Sequence, residues 1–258
     1  MSVFTDVAAE GILLAGGGRA ILLQIADPAV GTGVAQHSDF AHRPVDRLNS
    51  TVAYAYATVF ASEVELAAIV ERVNRAHGPV NSPPHGDNPG YNAFDAPSQL
   101  WVAATLYHTA LDVYERVFGP LDAQAAEQVY RQYRVLGTTL QVPETLWPVD
   151  LEAFRHYWRS AVEALDVTDD ARRVAHDLLH PRTAPLWLRA AMPVARLVTT
   201  GLLPAELRTS FALPWSTTDQ RRFDRLFRVA ARLYPRVPRR IRTLPRDRSM
   251  KRLRKMVA

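Results

Sequence analysis

The side chains whose types could perform chemistry are concentrated in residues 16–51, GGGRAILLQIADPAVGTGVAQHSDFAHRPVDRLNST. Asp27 follows an apolar run, and a carboxylate in such surroundings needs a cation such as Arg19 or has a raised pKa. It could act as a general base, and a structural ion pair is an equal alternative. His37 could act as an acid, a base or a ligand, or it could be a helix-end histidine bonded to nearby backbone.

Two further patterns are weaker evidence for a site. Gly16–Gly18 could hold a phosphate, but no strand leads into this segment, so we expect it to allow close helix packing. Asp166, Asp169 and Asp170 could bind magnesium. They lie beside Thr168 at a predicted helix start, where such residues cap the helix. Neither a Gly-x-Ser-x-Gly elbow nor a His-Glu-x-x-His motif occurs, which argues against the corresponding hydrolases and zinc enzymes.

Composition restricts the class of protein. The chain has no cysteine, so disulfides, iron–sulfur clusters and thiolate-bound metals are excluded. Its 258 residues are 48% hydrophobic, and we expect a single domain over 1–258. No uninterrupted apolar run of about 18 residues occurs, and the N-terminus lacks a basic leader. We therefore expect a cytoplasmic protein without a transmembrane segment.

The net charge of +5 conceals two unlike parts. Residues 221–258 contain 15 Lys and Arg against 2 Asp, a charge of +13, whereas residues 1–220 contain 16 basic against 24 acidic residues, a charge of −8. We expect a basic C-terminal tail that docks its Leu and Phe side chains and otherwise faces solvent. Nucleic acid is not an expected partner, because stacking aromatics are sparse and prolines interrupt the tail. Weak contact with a membrane surface remains an alternative.

Apolar residues recur at spacings of three and four along most of the chain, which predicts an all-α fold of about eight to ten helices around an internal apolar cavity. The pattern is clearest over 52–77, where it predicts one long helix, and Pro97 to Phe118 is the expected central helix. Further helices are predicted at 18–26, 30–36, 123–136, 151–165, 168–179, 186–202 and 219–233. The Pro- and Gly-rich segment 78–96 is expected to be either a disordered connector or a lid beside a site.

Several motifs occur in an order that resembles the MpaB-type and rubber-oxygenase (latex clearing protein) catalytic-domain family. They are GGGRAILLQIADPAVGTGVAQHSDF at 16–40, RLNST at 47–51, WVAATL at 101–106, YERVF at 114–118 and LVTTGLLPAELRTSFALPWS at 197–216. The resemblance covers roughly residues 10 to 245. It implies an all-α fold that encloses haem b and an oxygenase activity on a hydrophobic substrate.

The resemblance also implies roles for individual residues. The family's Arg and Thr near the haem map onto Arg47 and Thr51, which could hold a propionate and donate a hydrogen bond to bound oxygen. They could equally open and orient the helix that begins near Leu48. Ser50 stands where the family has a basic residue.

Two histidines of the family pattern are replaced in this chain. Asp27 stands in the family's Ala-His-Pro, and Ala103 stands where the resemblance places the proximal haem ligand. Tyr107, one turn after Ala103 on the same helix face, could ligate as a phenolate if a cation lies nearby, or it could be a packed core aromatic. His37 is another possible ligand, whereas His108 should face elsewhere. Weak or absent haem is expected, and Ala103→His should increase haem occupancy if the cavity keeps the family's shape.

Three functions are consistent with these residues. The first is an oxygenase acting on a small hydrophobic molecule, with haem if an alternative axial ligand exists. The second is a haem-free descendant in which Asp27, His37, Arg47 and Thr51 perform acid–base chemistry such as cyclisation or isomerisation. The third is a non-catalytic binding protein. All three place Asp27, Arg47, Thr51, Ala103 and Tyr107 around one internal cavity.

Overall fold

The computed structural model describes residues 2–37, 44–82, 90–181 and 185–257. Helices dominate these ranges, and eleven of the fifteen α-helices contain seven or more residues. The α-helices are α1 Val3–Ala8, α2 Gly17–Ala26, α3 Pro28–His37, α4 Pro44–Phe60, α5 Glu63–His77, α6 Ala96–Phe118, α7 Ala123–Tyr133, α8 Val135–Thr138, α9 Leu151–Glu163, α10 Asp169–Leu179, α11 Leu186–Leu202, α12 Ala205–Ser210, α13 Thr217–Leu233, α14 Arg239–Arg242 and α15 Leu244–Val257. Gly11–Gly16 and Tyr234–Arg236 are 3₁₀ helices. The predicted all-α class is confirmed.

Most predicted helix starts coincide with a side-chain cap. Asp122, Asp150 and Thr168 each accept a hydrogen bond from a backbone N–H three residues later. Ser216 and Asp219 form a reciprocal capping box at the start of α13. These bonds satisfy N–H groups that the first helical turn leaves without a partner, which is why short polar side chains mark the helix starts in the sequence.

The expected single helix over 52–77 is wrong, because the structure breaks it into α4 and α5. Ser62 accepts from the backbone N–H of Glu65, and the Glu65 carboxylate accepts from the backbone N–H of Ser62. This capping box starts a new helix in the middle of a continuous apolar pattern. The periodicity is the same on both sides of the break, so spacing alone does not reveal it.

The 23-residue helix α6 lies at the centre of the packing, as expected. It contacts the 3₁₀ helix Gly11–Gly16, α2, α8 and α13. Its buried side chains join all three apolar clusters: Tyr107 the first, Trp101 the second and Val113 the third. One long helix therefore connects clusters that form around different neighbours.

The described parts of the predicted irregular segment 78–96 include a short antiparallel pair of strands. β1 Asn81–Ser82 pairs with β2 Tyr91–Asn92. The Tyr91 ring packs directly on Gly33 of α3, where a Cβ atom would overlap it. Residues 83–89 lie outside the described residues, so the lid and connector alternatives remain predictions.

The basic C-terminal segment packs back on the N-terminal part of the chain. α15 contacts α4 and α5. Arg242 donates to the buried Glu10 carboxylate at 2.6 Å, and Arg239 pairs with Asp6. Within the described ranges, no individual helix combines the length and apolarity needed to cross a bilayer. Gly11–Ala26 and Pro28–Gln36 meet those criteria only together, and they are bent by 106° at the break between them.

The glycine run at 16–18 allows close packing, as predicted. A Cβ on Gly16 would overlap the Thr109 side chain of α6, and a Cβ on Gly18 would overlap Thr199 of α11. We expect Gly18→Ala to lower the free energy of unfolding by about 1–3 kcal/mol, because the added Cβ would overlap Thr199 Oγ1 and would still lie 3.2 Å from Thr199 Cβ after a rotamer change.

Gly78→Ala is the matched control, since Gly78 has right-handed helical dihedrals and an added Cβ would be 3.7 Å from the carbonyl oxygens of Asn74 and Arg75. This variant should be neutral or stabilised by up to about 1 kcal/mol. Urea unfolding of both variants provides the measurement. Equal stability of the two variants would contradict the packing argument.

Candidate functional site

An elongated apolar cavity of about 160 Å³ lies between the 3₁₀ helix Gly11–Gly16, α2, α4 and α6. Its lining is Ala8, Leu13, Leu14, Gly16, Gly17, Ala20, Ile21, Gln24, Thr51, Val52, Ala55, Tyr56, Val59, Leu106, Thr109, Ala110, Tyr133 and Leu136. Five of these side chains carry polar atoms: Gln24, Thr51, Tyr56, Thr109 and Tyr133. The cavity is therefore an apolar space with a few polar groups, the composition typical of small-molecule sites.

Helical spacing explains which residues reach the cavity. On α4, each cavity residue lies three or four residues from another one, so they share a face: Thr51, Val52, Ala55, Tyr56 and Val59. Leu106, Thr109 and Ala110 do the same on α6. Small residues create the empty volume, because Gly16, Gly17 and Ala20 have little or no side chain to fill it. Leu14 and Thr51 are the solvent-exposed members of the lining and mark its mouth.

The two cavity tyrosines remain protonated near neutral pH. Burial raises the pKa of Tyr56 to about 12, and burial also raises the pKa of Tyr133 well above its usual value. Desolvation disfavours the phenolate, so both groups act as neutral hydrogen-bond donors and acceptors. The described lining contains no carboxylate, imidazole or lysine. Its polar groups can orient a ligand, but none of them changes charge near neutral pH.

The predicted site residues do not all border this cavity. Thr51 lines it. Arg47 belongs to α4 one turn before Thr51, and His37 ends α3, but the side chains of both lie outside the described residues. Asp27 is half-buried and accepts a hydrogen bond from the backbone N–H of Val30 at 2.9 Å, so it caps α3.

Tyr107 lies in an aromatic cluster and not in the described lining of the cavity. Its ring contacts Tyr130, Tyr133 and Phe154 edge-on at centroid distances of 4.9–5.4 Å. Burial raises the pKa of Tyr107, and its hydroxyl has no hydrogen-bond partner in the described part of the chain. A phenolate ligand needs a stabilising cation, and these surroundings favour the neutral core aromatic.

Ala103 is also packed away from the cavity. Its Cβ is 3.5 Å from the position that a Cβ on Gly137 would occupy, so the side chain lies against α8. Only 3% of Ala103 is exposed. Position 103 is therefore buried against α8 and does not belong to the described lining of the cavity.

A buried network around Arg19 was missed in the sequence. Its guanidinium donates to Thr109 Oγ1 at 3.3 Å, bonds His108 Nδ1 at 3.1 Å and lies 3.6 Å from Asp112. His108 also stacks on Trp158, with ring centroids 3.9 Å apart. Asp27 is therefore not the partner of Arg19. The available signal was the helical spacing of 108, 109 and 112, which places all three near one turn of α6.

The Arg19 network separates the cavity from a second, open cleft. This cleft measures about 350 Å³ and is lined by His108, Glu152, Phe154, Arg155, Trp158 and Arg159. Burial, followed by the charge of Arg19, lowers the pKa of His108 to about 3, so the imidazole is neutral and its Nδ1 accepts the bond from Arg19. The cleft is larger, but the first cavity is the better candidate site because it is more enclosed and has no charged side chain in its described lining.

Haem does not fit the described lining. Its side chains include no imidazole, thiolate or thioether that could ligate iron, and the two phenols are held protonated. Across the described residues, no three His, Asp or Glu side chains cluster in a way that could hold a metal ion. None of the described side chains that line this cavity can therefore serve as the haem ligand that the resemblance implies.

The lowered pKa of His108 has a consequence for stability. The unfolded chain takes up a proton near pH 6.5 but the folded chain does not until about pH 3, so acidification within this window favours unfolding. We expect the wild type to lose stability relative to His108→Asn by up to about 1.4 kcal/mol per pH unit below 6.5. Asn is the suitable replacement because its amide oxygen can accept the Arg19 bond. Urea unfolding at pH 7 and pH 5 tests this, and parallel pH dependence of the two proteins would refute it.

Comparison with known proteins agrees with the motifs. Residues 5–232 match the family model described as ER-bound oxygenase mpaB/B′/Rubber oxygenase, catalytic domain. Two relatives, the uncharacterized protein Mb2261 of Mycobacterium bovis and the uncharacterized protein Rv2237 of Mycobacterium tuberculosis, are each 38% identical over 224 residues, covering 83% of this chain and 87% of theirs. No solved structure matches the chain. The family model spans most of the helices described above, and the chain belongs to the mpaB/B′ and rubber oxygenase catalytic-domain family.

Proposed function

We propose that this family member is a haem-free enzyme that binds a small hydrophobic molecule in the cavity beneath Thr51. The observation that carries the proposal is the composition of the lining, thirteen apolar residues or glycines and five side chains with polar atoms, none of them titrating near neutral pH. Such a lining favours an apolar body with one or two oxygen or nitrogen atoms.

The size of the cavity supports a small ligand. An engineered apolar cavity of about 150 Å³ stays dry and binds benzene. The present cavity encloses about 160 Å³ and opens towards Leu14 and Thr51, so part of a ligand can extend into the mouth. The Tyr56 and Tyr133 hydroxyls can donate hydrogen bonds to a carbonyl or hydroxyl group, while Gln24 already donates to Thr105 Oγ1 at 3.0 Å.

The chemical step would depend on groups at the mouth. Thr51 lines the cavity, and Arg47 is one turn earlier on the same face of α4. In this proposal the Arg47 guanidinium stabilises negative charge that develops on a substrate oxygen, and His37 transfers the proton. Isomerisation or cyclisation of an apolar metabolite needs this kind of chemistry. Asp27 is a weaker candidate for the base, because it already caps α3.

The family match favours a second candidate, an oxygenase that carries haem. In that case the axial ligand would have to come from a side chain outside the described residues, and His37 is the one that matches the family motif. Haem would supply oxygen activation when bound. Arg47 and Thr51 would then orient the substrate at the mouth of the cavity.

Ligand binding can be tested by filling the cavity with a larger side chain. Benzene and phenol should raise the unfolding free energy of the wild type by RT ln(1 + [L]/Kd), about 2.7 kcal/mol at one hundred times Kd. Ala55→Phe should abolish this increase, because Ala55 lines the cavity and is only half-buried, so a phenyl ring can enter without strain. Ala67→Phe on the exposed face of α5 is the control and should bind like the wild type. Undiminished stabilisation of Ala55→Phe would rule out this cavity.

The two candidate functions are separated by an absorption spectrum. After expression with a haem precursor, we expect no Soret band from the wild type. Ala103→His should also show none and should be destabilised by about 1–3 kcal/mol, because the imidazole would be forced against α8. A full Soret band in the wild type that is lost in His37→Ala would instead establish the haem oxygenase.

A further inference from the structure

α13 has two chemically different faces. Phe223 is buried, and Leu226 and Phe227 pack beside it against α6 and α11. The opposite face is exposed and carries Arg221, Arg222, Arg225, Arg228 and Arg232. The expectation that this segment docks its Leu and Phe side chains is therefore correct for one face, but it does not account for the composition of the other.

Most of these arginines are not neutralised by the protein itself. Arg222 pairs with Asp219 at 3.8 Å. In the described ranges, Arg225, Arg228 and Arg232 have no carboxylate within ion-pair distance. Their charges add to one another, because the three side chains lie on consecutive turns of the helix.

Apolar side chains are exposed among the arginines. Val229 is 45% exposed and Leu233 is 60% exposed, and their spacing of four residues places them on the same side of α13. Ile241, which follows in α14, is 51% exposed. We call Arg225, Arg228, Val229, Arg232 and Leu233 the arginine face. A helix with cations around exposed aliphatic residues has the composition of helices that lie at a bilayer surface.

The buried face of α13, opposite the arginine face, packs close to the wall of the cavity. The backbone N–H of Ile12 donates to the Tyr234 hydroxyl at 3.0 Å, directly after the end of α13. A Cβ on Gly11 would be 2.7 Å from the Arg242 carbonyl oxygen. Ile12 and Leu13 also pack in the cluster that contains Phe223, and Leu13 lines the cavity. α13 therefore lies between the arginine face and the 3₁₀ helix that forms one side of the cavity.

We propose that the arginine face binds the surface of an anionic bilayer, with the arginines at the phosphates and with Val229 and Leu233 in the interfacial region. Charge complementarity carries the choice of partner, together with the aliphatic residues that a bilayer can bury and a polynucleotide cannot. No aromatic residue is exposed in the described segment 217–241, so base stacking is not provided for. The proposal does not depend on which ligand occupies the cavity.

Co-sedimentation with vesicles tests the proposal on the full chain. The wild type should bind vesicles of phosphatidylcholine that contain roughly 30–40% phosphatidylglycerol, an anionic lipid. It should not bind vesicles of pure phosphatidylcholine. Arg228→Gln with Arg232→Gln should weaken binding about 25-fold, since each arginine near the surface contributes about fivefold. Arg155→Gln with Arg159→Gln is the control: it removes two exposed arginines four residues apart on α9 and should bind like the wild type.

A second pair of substitutions distinguishes a bilayer from other polyanions. Val229→Ser with Leu233→Ser keeps every charge and should weaken vesicle binding at least about tenfold. Circular dichroism and thermal unfolding verify that each variant is folded. Failure of the wild type to bind anionic vesicles, or equal losses in the α13 and α9 arginine pairs, would overturn the proposal. Tight binding to a single-stranded oligonucleotide that the serine variant retains would also overturn it, in favour of a nucleic-acid surface.

Discussion

The buried guanidinium of Arg19 and its three partners determine how the cavity and the open cleft are arranged. It is 4% exposed, and a buried cation is tolerated only where hydrogen bonds and a counter-charge replace water. α6 supplies all three partners: His108, Thr109 and Asp112. Since Thr109 lines the cavity and His108 lines the open cleft, the same network forms the partition between them. The glycines before Arg19 allow α2 to approach closely enough for these bonds to form.

Neither Ala103 nor Tyr107 belongs to the described lining of the cavity. Ala103 is buried and packs against α8. The cavity itself is apolar, and burial keeps its two phenols neutral. This combination favours binding and orientation of an apolar molecule over iron ligation.

The arginine face and the cavity would act together if both proposals hold. A hydrophobic molecule partitions into bilayers, so a protein bound at the bilayer surface meets such a molecule at a high local concentration. The buried Glu10–Arg242 pair anchors this C-terminal region to the chain segment before the 3₁₀ helix. Orientation on the membrane would then be determined by the same contacts that form the cavity wall.

Local physical chemistry was sufficient to predict the all-α class and the central helix. It also predicted the helices that Asp122, Asp150, Thr168 and Ser216 cap. Periodicity and capping act within a few residues, so the sequence alone determines them. The motif order likewise identified the family. The break at Ser62, the packing of Ala103 on α8 and the partners of Arg19 were decided by tertiary structure. Each depends on which distant side chain comes within a few ångströms, and residue spacing along one helix specifies a face without specifying what packs against it.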